Sequence, residues 1–261
     1  MKKVLSLIFG TVFLTATLSS RAQTYKIDTA KVTFETKSRD CFFTTVDPKE
    51  KELKKALKKY FKKTYKITFK GVGFMTNKPF LKAEDVMCGI ISSKRMNLYA
   101  HITQAPTNTQ MSFFGSFGYD IFIDPKIYSK EFSQMKDIMN TFLLQYLNEY
   151  YAKEITRSSK EIKQLNNKRI RISKRMDRND RRNSRAERKI AKLNNKKPKD
   201  TKDQIANTQK TNELTNKQTE LTNKNQKATI TIQLIDEKLP KLNEHLKVLM
   251  SKQKELAKVV L

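Results

Sequence analysis

The sequence contains no tryptophan, only two cysteines and two histidines, and 26 acidic residues against 54 lysines and arginines. So few histidines and cysteines argue against a structural zinc site, whose four ligands come mainly from those residue types. No CxxC pair, no nucleophile with a neighbouring base and no phosphate-binding glycine loop occurs at motif strength. These absences predict a protein that is not an enzyme and that holds no metal or cofactor.

Long apolar runs are also absent, except at the amino terminus. Two lysines precede an almost uncharged stretch over residues 4–18, and Ser20 and Ala22 precede a cleavage position before Gln23. This pattern predicts a secretory signal peptide over residues 1–22, because the apolar stretch is shorter than the roughly 20 residues that cross a bilayer. An uncleaved anchor is the alternative. No transmembrane span is predicted after signal removal.

Export would place the mature chain in the periplasm or the cell envelope, where disulfides persist. Cys41 and Cys88 are the two cysteines of that chain. One bridge between them and two buried free thiols are both compatible with the sequence. Export also makes nucleic acid an unlikely partner, because a protein outside the cytoplasm does not ordinarily meet chromosomal DNA or ribosomal RNA.

Residues 23–128 have the pattern of an α+β domain. A helix is predicted from Asp47, with Asp47 as its N-cap, Pro48 at the first helical position and Glu50 completing a capping box. Alternating apolar residues predict strands in AKVTFET, TYKITFKGVGFM, NLYAHITQA and QMSFFGSFGYDIFID. The order of these segments predicts a small antiparallel sheet domain with covering helices.

Residues 129–261 have the pattern of a long antiparallel α-helical hairpin. Apolar residues recur at three- and four-residue steps from Ser129, with no glycine or proline before Pro198. A second stripe, spaced by seven, consists of Leu214, Leu221, Ala228, Ile235, Leu242, Leu249 and Leu256. Such heptads predict a coiled coil. Its tip is predicted near Pro198, and its base is predicted to pack on the α+β domain.

Polar residues interrupt the predicted core of the outer hairpin. They are Arg169, Asn179 and Asn183 on the first helix and Thr211, Gln218 and Asn225 on the second. The predicted register places Met176 near Leu221, Leu165 near Ile232 and Ile155 near Leu242. Polar core positions fix the register of a coiled coil but lower its stability. The outer hairpin is therefore predicted to be marginally stable by itself.

The first helix of the hairpin is strongly basic. Residues 157–202 contain 19 lysines and arginines and five acidic residues, which the helical pattern spreads around the whole helix. Dense like charge destabilises a compact state unless an anion neutralises it. The candidate contacts to an anionic partner are Arg171, Lys174, Arg175, Arg178, Arg181, Arg182, Arg185, Arg188 and Lys189. The alternative is a solvated helix whose charges serve only solubility.

These features predict a non-enzymatic, exported cell-envelope protein whose basic coiled-coil hairpin, on a globular base, binds an anionic envelope surface or a protein partner. The hairpin has no wide apolar face with aromatic residues, which disfavours a simple interfacial helix. Nucleic-acid binding is a second alternative, but no aromatic residues are interleaved with the basic run to stack on bases.

The first alternative comes from a resemblance. A signal peptide, high basic charge and long helical hairpins on a β-containing body resemble the periplasmic Skp chaperones in architecture and composition, without a shared motif and with a larger body. The resemblance implies a holdase chaperone for exported proteins, which would act as a homo-oligomer forming a cage.

Overall fold

The computed structural model describes residues 25–72, 77–118 and 120–259. The predicted signal peptide and its cleavage position lie outside these ranges. The elements of the described residues are β1 (Asp28–Phe34), β2 (Lys37–Val46), α1 (Glu50–Tyr65), β3 (Lys70–Val72), β4 (Asn77–Met87), β5 (Arg95–Gln104), β6 (Thr109–Ser116), α2 (Ser129–Asn194) and α3 (Thr201–Val259).

The six strands form one antiparallel sheet in the order β1-β2-β6-β5-β4-β3. One face of the sheet is covered by α1 and by the first part of α2, and α2 continues into an antiparallel pair with α3. The predicted fold class, a small antiparallel sheet with covering helices followed by a long helical hairpin, is therefore confirmed.

The helix-covered face holds the main core. Apolar residues of β2, β4, β5 and β6 meet Leu53, Leu57 and Phe61, which recur along one side of α1 as helical spacing requires. The first turns of α2 add Phe132, Met135, Ile138, Met139, Phe142, Leu143, Leu147 and Tyr151. Leu249 and Leu256, near the end of α3, pack into the same core. The base of the hairpin is thus part of the core of the sheet domain.

The opposite face of the sheet carries a separate aromatic cluster. Phe34 of β1 contacts Phe80 of β4 and Tyr99 of β5, with ring centroids 5.4 and 4.8 Å apart. Since β1 and β4 are not neighbours in the sheet, the sheet must curl toward this face. The Arg39 guanidinium lies 3.7 Å above the centroid of the Phe122 ring and covers one side of the cluster.

The two cysteines lie on opposite faces of this sheet. Cys41 belongs to the aromatic cluster, whereas Cys88 belongs to the helix-covered core. Both are buried free thiols, and burial raises the pKa of each. Of the two alternatives that the sequence allows, this structure has the two buried free thiols, because the sheet separates the two side chains.

The predicted cap of α1 is also wrong. The helix begins at Glu50, with Lys49 at the N-cap position and no side-chain hydrogen bond there. Asp47 points instead to the hairpin, where its Oδ2 accepts hydrogen bonds of 2.6 Å from Tyr151 Oη and from Lys252 Nζ. A charged amine and a buried phenol are better partners for a carboxylate than one backbone N–H.

Asp47, Tyr151 and Lys252 form what we term the basal triad. Asp47 precedes α1, Tyr151 lies on α2 and Lys252 lies on α3. Tyr151 is fully buried, and this burial, followed by its hydrogen bond to Asp47, raises the pKa of its hydroxyl. Three segments that are distant in sequence are thus joined at one carboxylate, which fixes the hairpin on the sheet domain.

His101 provides a prediction about pH. Its ring stacks on Phe80, with centroids 4.2 Å apart, and burial followed by the charge of Lys54 lowers its pKa, although Glu50 opposes this. Below a pH of about 6.5 the unfolded chain binds a proton that the folded chain resists. The free energy of unfolding should therefore decrease as the pH falls from about 6.5 through the lowered pKa of folded His101.

The test compares urea unfolding of the protein and of His101→Gln at pH values of about 7.5 and 5.5. The variant is expected to lose less stability than the unmodified protein over this interval, because glutamine takes up no proton. His245→Gln is the matched control, since His245 is exposed on α3. Equal pH dependence in all three proteins would contradict the role given to His101.

Candidate anionic-partner site on the helical hairpin

The hairpin consists of the 66-residue α2 and the 59-residue α3, joined by residues 195–200. Pro198 lies in this connection, and Asp200 caps α3, because its Oδ1 accepts a 2.7 Å hydrogen bond from the N–H of Asp203. Residues 155–193 of α2 span roughly 60 Å at 1.5 Å per residue. The helices therefore present an extended surface outside the sheet domain.

The outer hairpin has a partly polar core, as the sequence predicts. Asn179 is 7% exposed, and its Nδ2 donates to Asn225 Oδ1 over 2.9 Å. Asn225 Nδ2 in turn donates to Asp180 Oδ1 over 2.6 Å. Both amides therefore have partners across the helix pair, which is the arrangement that fixes a register.

The predicted register is wrong by a few residues. Asn179 bonds Asn225, about seven residues beyond the position that the predicted register places opposite it, whereas Gln218 contacts Asn183 with a shift of about four residues. Gln218 Nε2 instead donates to the carbonyl of Asn183 over 3.4 Å. The physical reason is that pairing the two asparagines satisfies both side chains, whereas a repeat of seven residues permits either pairing.

A groove of about 930 Å³ runs between the two helices on one side of the outer hairpin. We term it the basic groove, because seven cations line it. They are Lys168, Arg171, Arg175, Arg178, Arg182, Lys224 and Lys227. Between them lie Ile172, Met176, Asn179, Leu221, Ala228 and Thr231. The groove thus combines cationic rims with a mostly apolar floor.

Four of the nine predicted contact residues line this groove, namely Arg171, Arg175, Arg178 and Arg182. The other five are exposed elsewhere on α2, and they are Lys174, Arg181, Arg185, Arg188 and Lys189. A seven-residue spacing places three of these five on one other line of the helix. The structure therefore divides the predicted set into a groove row and residues outside it.

Sequence reasoning missed three groove cations. Lys168 precedes Arg171 at the same three- and four-residue steps as the rest of the row, so helical spacing alone could have found it. Lys224 and Lys227 lie on α3. Their place opposite the α2 row depends on the register of the two helices, which the sequence left ambiguous.

The charges of the outer hairpin are segregated. Among the described residues, the only groove cation with an ion-pair partner is Lys224, whose Nζ contacts Glu220. The acidic residues of the neighbouring α2 segment, Asp177, Asp180 and Glu187, do not line the groove. Basic charge therefore lies around the whole of this α2 segment, as predicted, since five candidate cations are exposed outside the groove, but the groove side lacks the acids that dilute the charge elsewhere.

Six adjacent groove cations, which have no carboxylate partner among the residues that the structure describes, create a positive potential that attracts anions, most strongly at low ionic strength. In the described parts of the chain, no group of three histidine, cysteine or acidic residues could hold a metal ion. The same parts contain no helix with the length and hydropathy that crossing a membrane requires. No protein-family model, curated protein or solved structure matches the chain.

Proposed function

We propose that this chain is a non-enzymatic, exported cell-envelope protein whose helical hairpin binds an anionic envelope component or partner protein. The globular sheet domain holds the base of the hairpin, and the basic groove makes the contact. The observation that carries this proposal is the line of cations from both helices, of which only Lys224 pairs with an acid within the described residues.

The support is electrostatic. Residues that serve only solubility need no common side, and mixed charges would serve equally well. Here five cations of α2 recur at three- and four-residue steps, and two cations of α3 lie across the groove from them. The unneutralised repulsion along this row would be relieved by a bound anion.

The test measures binding of the purified protein to phosphatidylglycerol vesicles and to polyglutamate at several salt concentrations. Binding to at least one of these probes is expected, and it should weaken steeply as salt rises because the contacts are exposed charges. Phosphatidylcholine vesicles serve as the uncharged control. Absence of binding to both anionic probes at low salt would overturn the proposal.

A pair of matched triple variants locates the binding surface. R171Q/R175Q/R182Q removes three groove cations, and K174Q/R181Q/R188Q removes three cations that do not line the groove. Both variants lose the same charge, but only the first is expected to weaken binding by about tenfold or more, since each exposed ion pair contributes up to about 1 kcal/mol. Equal losses would assign the binding to overall charge and not to the groove.

A further inference from the structure

We infer that the occupant of the basic groove is an amphipathic α-helical segment of a partner protein, with acidic residues beside its apolar stripe. Such a segment would complete a three-helix bundle with α2 and α3. This inference rests on the proposed function, because it names the class of anionic partner that the same site binds.

The floor of the groove contains apolar side chains that the two helices cover incompletely. Ile172, Met176 and Ala228 are core-facing residues of the helix pair, yet each is only half-buried, whereas Leu221 is 6% exposed. Two helices cover a core side chain from one direction only, and the groove leaves the other direction open. A third apolar stripe laid along the groove would bury these side chains.

Both rims of the groove carry cations. Arg171, Arg175, Arg178 and Arg182 follow one edge of the floor, and Lys224 and Lys227 follow the other. An apolar stripe flanked on both sides by glutamate or aspartate matches this arrangement, as charges beside the apolar seam do in coiled coils. From Lys168 to Arg182 the α2 row is roughly 21 Å long, which corresponds to about four turns of a docked helix.

Other anions match only part of this surface. A flat anionic membrane can contact the exposed rims but cannot lie along the floor between two helices. A purely anionic polymer neutralises the rims and leaves the apolar floor exposed. An acidic amphipathic helix uses both features, and its own axis can pack at the usual 8–10 Å from two neighbours.

The experiment uses the full chain after signal removal and a designed peptide of about 21 residues, long enough for the roughly four turns of the groove. The peptide carries leucine at its heptad core positions and glutamate beside them, so that its own charges oppose self-association at neutral pH. The control is a scrambled peptide with the same composition and charge but no apolar stripe. Both are measured by calorimetric titration, together with phosphatidylglycerol vesicles.

The amphipathic peptide is expected to bind with a stoichiometry of one and at least about tenfold more tightly than the scrambled peptide, because only it buries the apolar floor. Equal affinities, or binding of vesicles alone, would overturn the inference and leave the proposed function in place. Absence of binding to all three probes would overturn both.

A floor variant separates apolar contact from charge. Met176→Gln leaves every groove cation in place. It is expected to weaken binding of the amphipathic peptide about tenfold, while the affinity for the scrambled peptide stays the same. Ala228→Gln, on the opposite helix, provides a second floor variant, and circular dichroism verifies that each remains helical. Unchanged affinity in folded forms of both variants would refute the docking of a helix on this floor.

Discussion

Replacing Tyr151 by alanine is expected to lower the free energy of unfolding by about 4 kcal/mol, because truncating a buried aromatic residue typically removes 3–5 kcal/mol. Tyr151 is completely buried between the sheet domain and the hairpin. The substitution also removes the hydrogen bond of 2.6 Å to Asp47, which leaves that carboxylate with Lys252 alone in the basal triad.

Two further variants divide this effect. Tyr151→Phe keeps the ring and removes only the hydroxyl, so it should lower the free energy of unfolding by about 1.5–3 kcal/mol, the usual range for one hydrogen bond to a charged group. Tyr150→Ala is the matched control, because Tyr150 is the adjacent residue and its ring packs edge-on against Tyr151, but it is only half-buried and does not take part in the two hydrogen bonds to Asp47. Tyr150→Ala should lower the free energy of unfolding clearly less than Tyr151→Ala does.

Urea unfolding followed by far-ultraviolet circular dichroism gives all three values. A single transition is expected for the unmodified protein if the hairpin base and the sheet unfold together. A loss for Tyr151→Ala as small as the loss expected for Tyr150→Ala would mean that the base of the hairpin contributes little to the stability of the core. That result would contradict the position of the basal triad as the join between the two parts.

The hairpin was predictable because its signal is long and periodic. An apolar repeat sustained over more than 60 residues without glycine or proline has few structural solutions, and the break at Pro198 ends it clearly. The junction was less predictable. Asp47 has the local features of an N-cap, but its partners lie more than 100 residues away, and local sequence rules contain no information about them.

The sequence patterns do not predict β2 and β4, and each omission has a physical reason. The turn between β1 and β2 places Glu35 and Thr36 at positive φ, so it lacks the glycine or asparagine that marks a two-residue hairpin. The β4 strand contains Pro79 and a bulge at which Asp85 has positive φ, both of which disrupt the alternating pattern. In each case pairing with neighbouring strands outweighed the local preference.

Only the α2 side of the basic groove could be predicted from the sequence. The groove row of α2 follows from the sequence, because helical spacing alone separates Arg171, Arg175, Arg178 and Arg182 from the neighbouring cations. The α3 side could not be predicted in the same way. The apolar repeat by itself fits its partner equally well after a shift of seven residues, and the register is selected by specific contacts, namely the Asn179–Asn225 pair and the contacts at the base of the hairpin.

The double variant Asn179→Leu/Asn225→Leu tests that selection. Replacing this polar pair by apolar residues is expected to raise the free energy of unfolding by about 1–3 kcal/mol, because the helices no longer bury amide groups. Asp180, which loses its contact to Asn225, is exposed and can be hydrated. The single variant Asn179→Leu should instead destabilise the hairpin by about 1 kcal/mol, since it leaves the Asn225 Oδ1 without its donor.

The register of the double variant is expected to be less well defined, and spin labels at the exposed Lys174 and Ile230 measure this directly. One narrow distance distribution is expected with Asn179 and Asn225 present, and a broader or second one without them. Since Lys252 holds the base and residues 195–200 close the tip, a slip confined to the outer part of the hairpin would move Lys224 and Lys227 away from their positions opposite the arginine row. A more stable hairpin should therefore bind its anionic partner less tightly, and unchanged affinity together with one narrow distribution would contradict the role of the asparagine pair in building the groove.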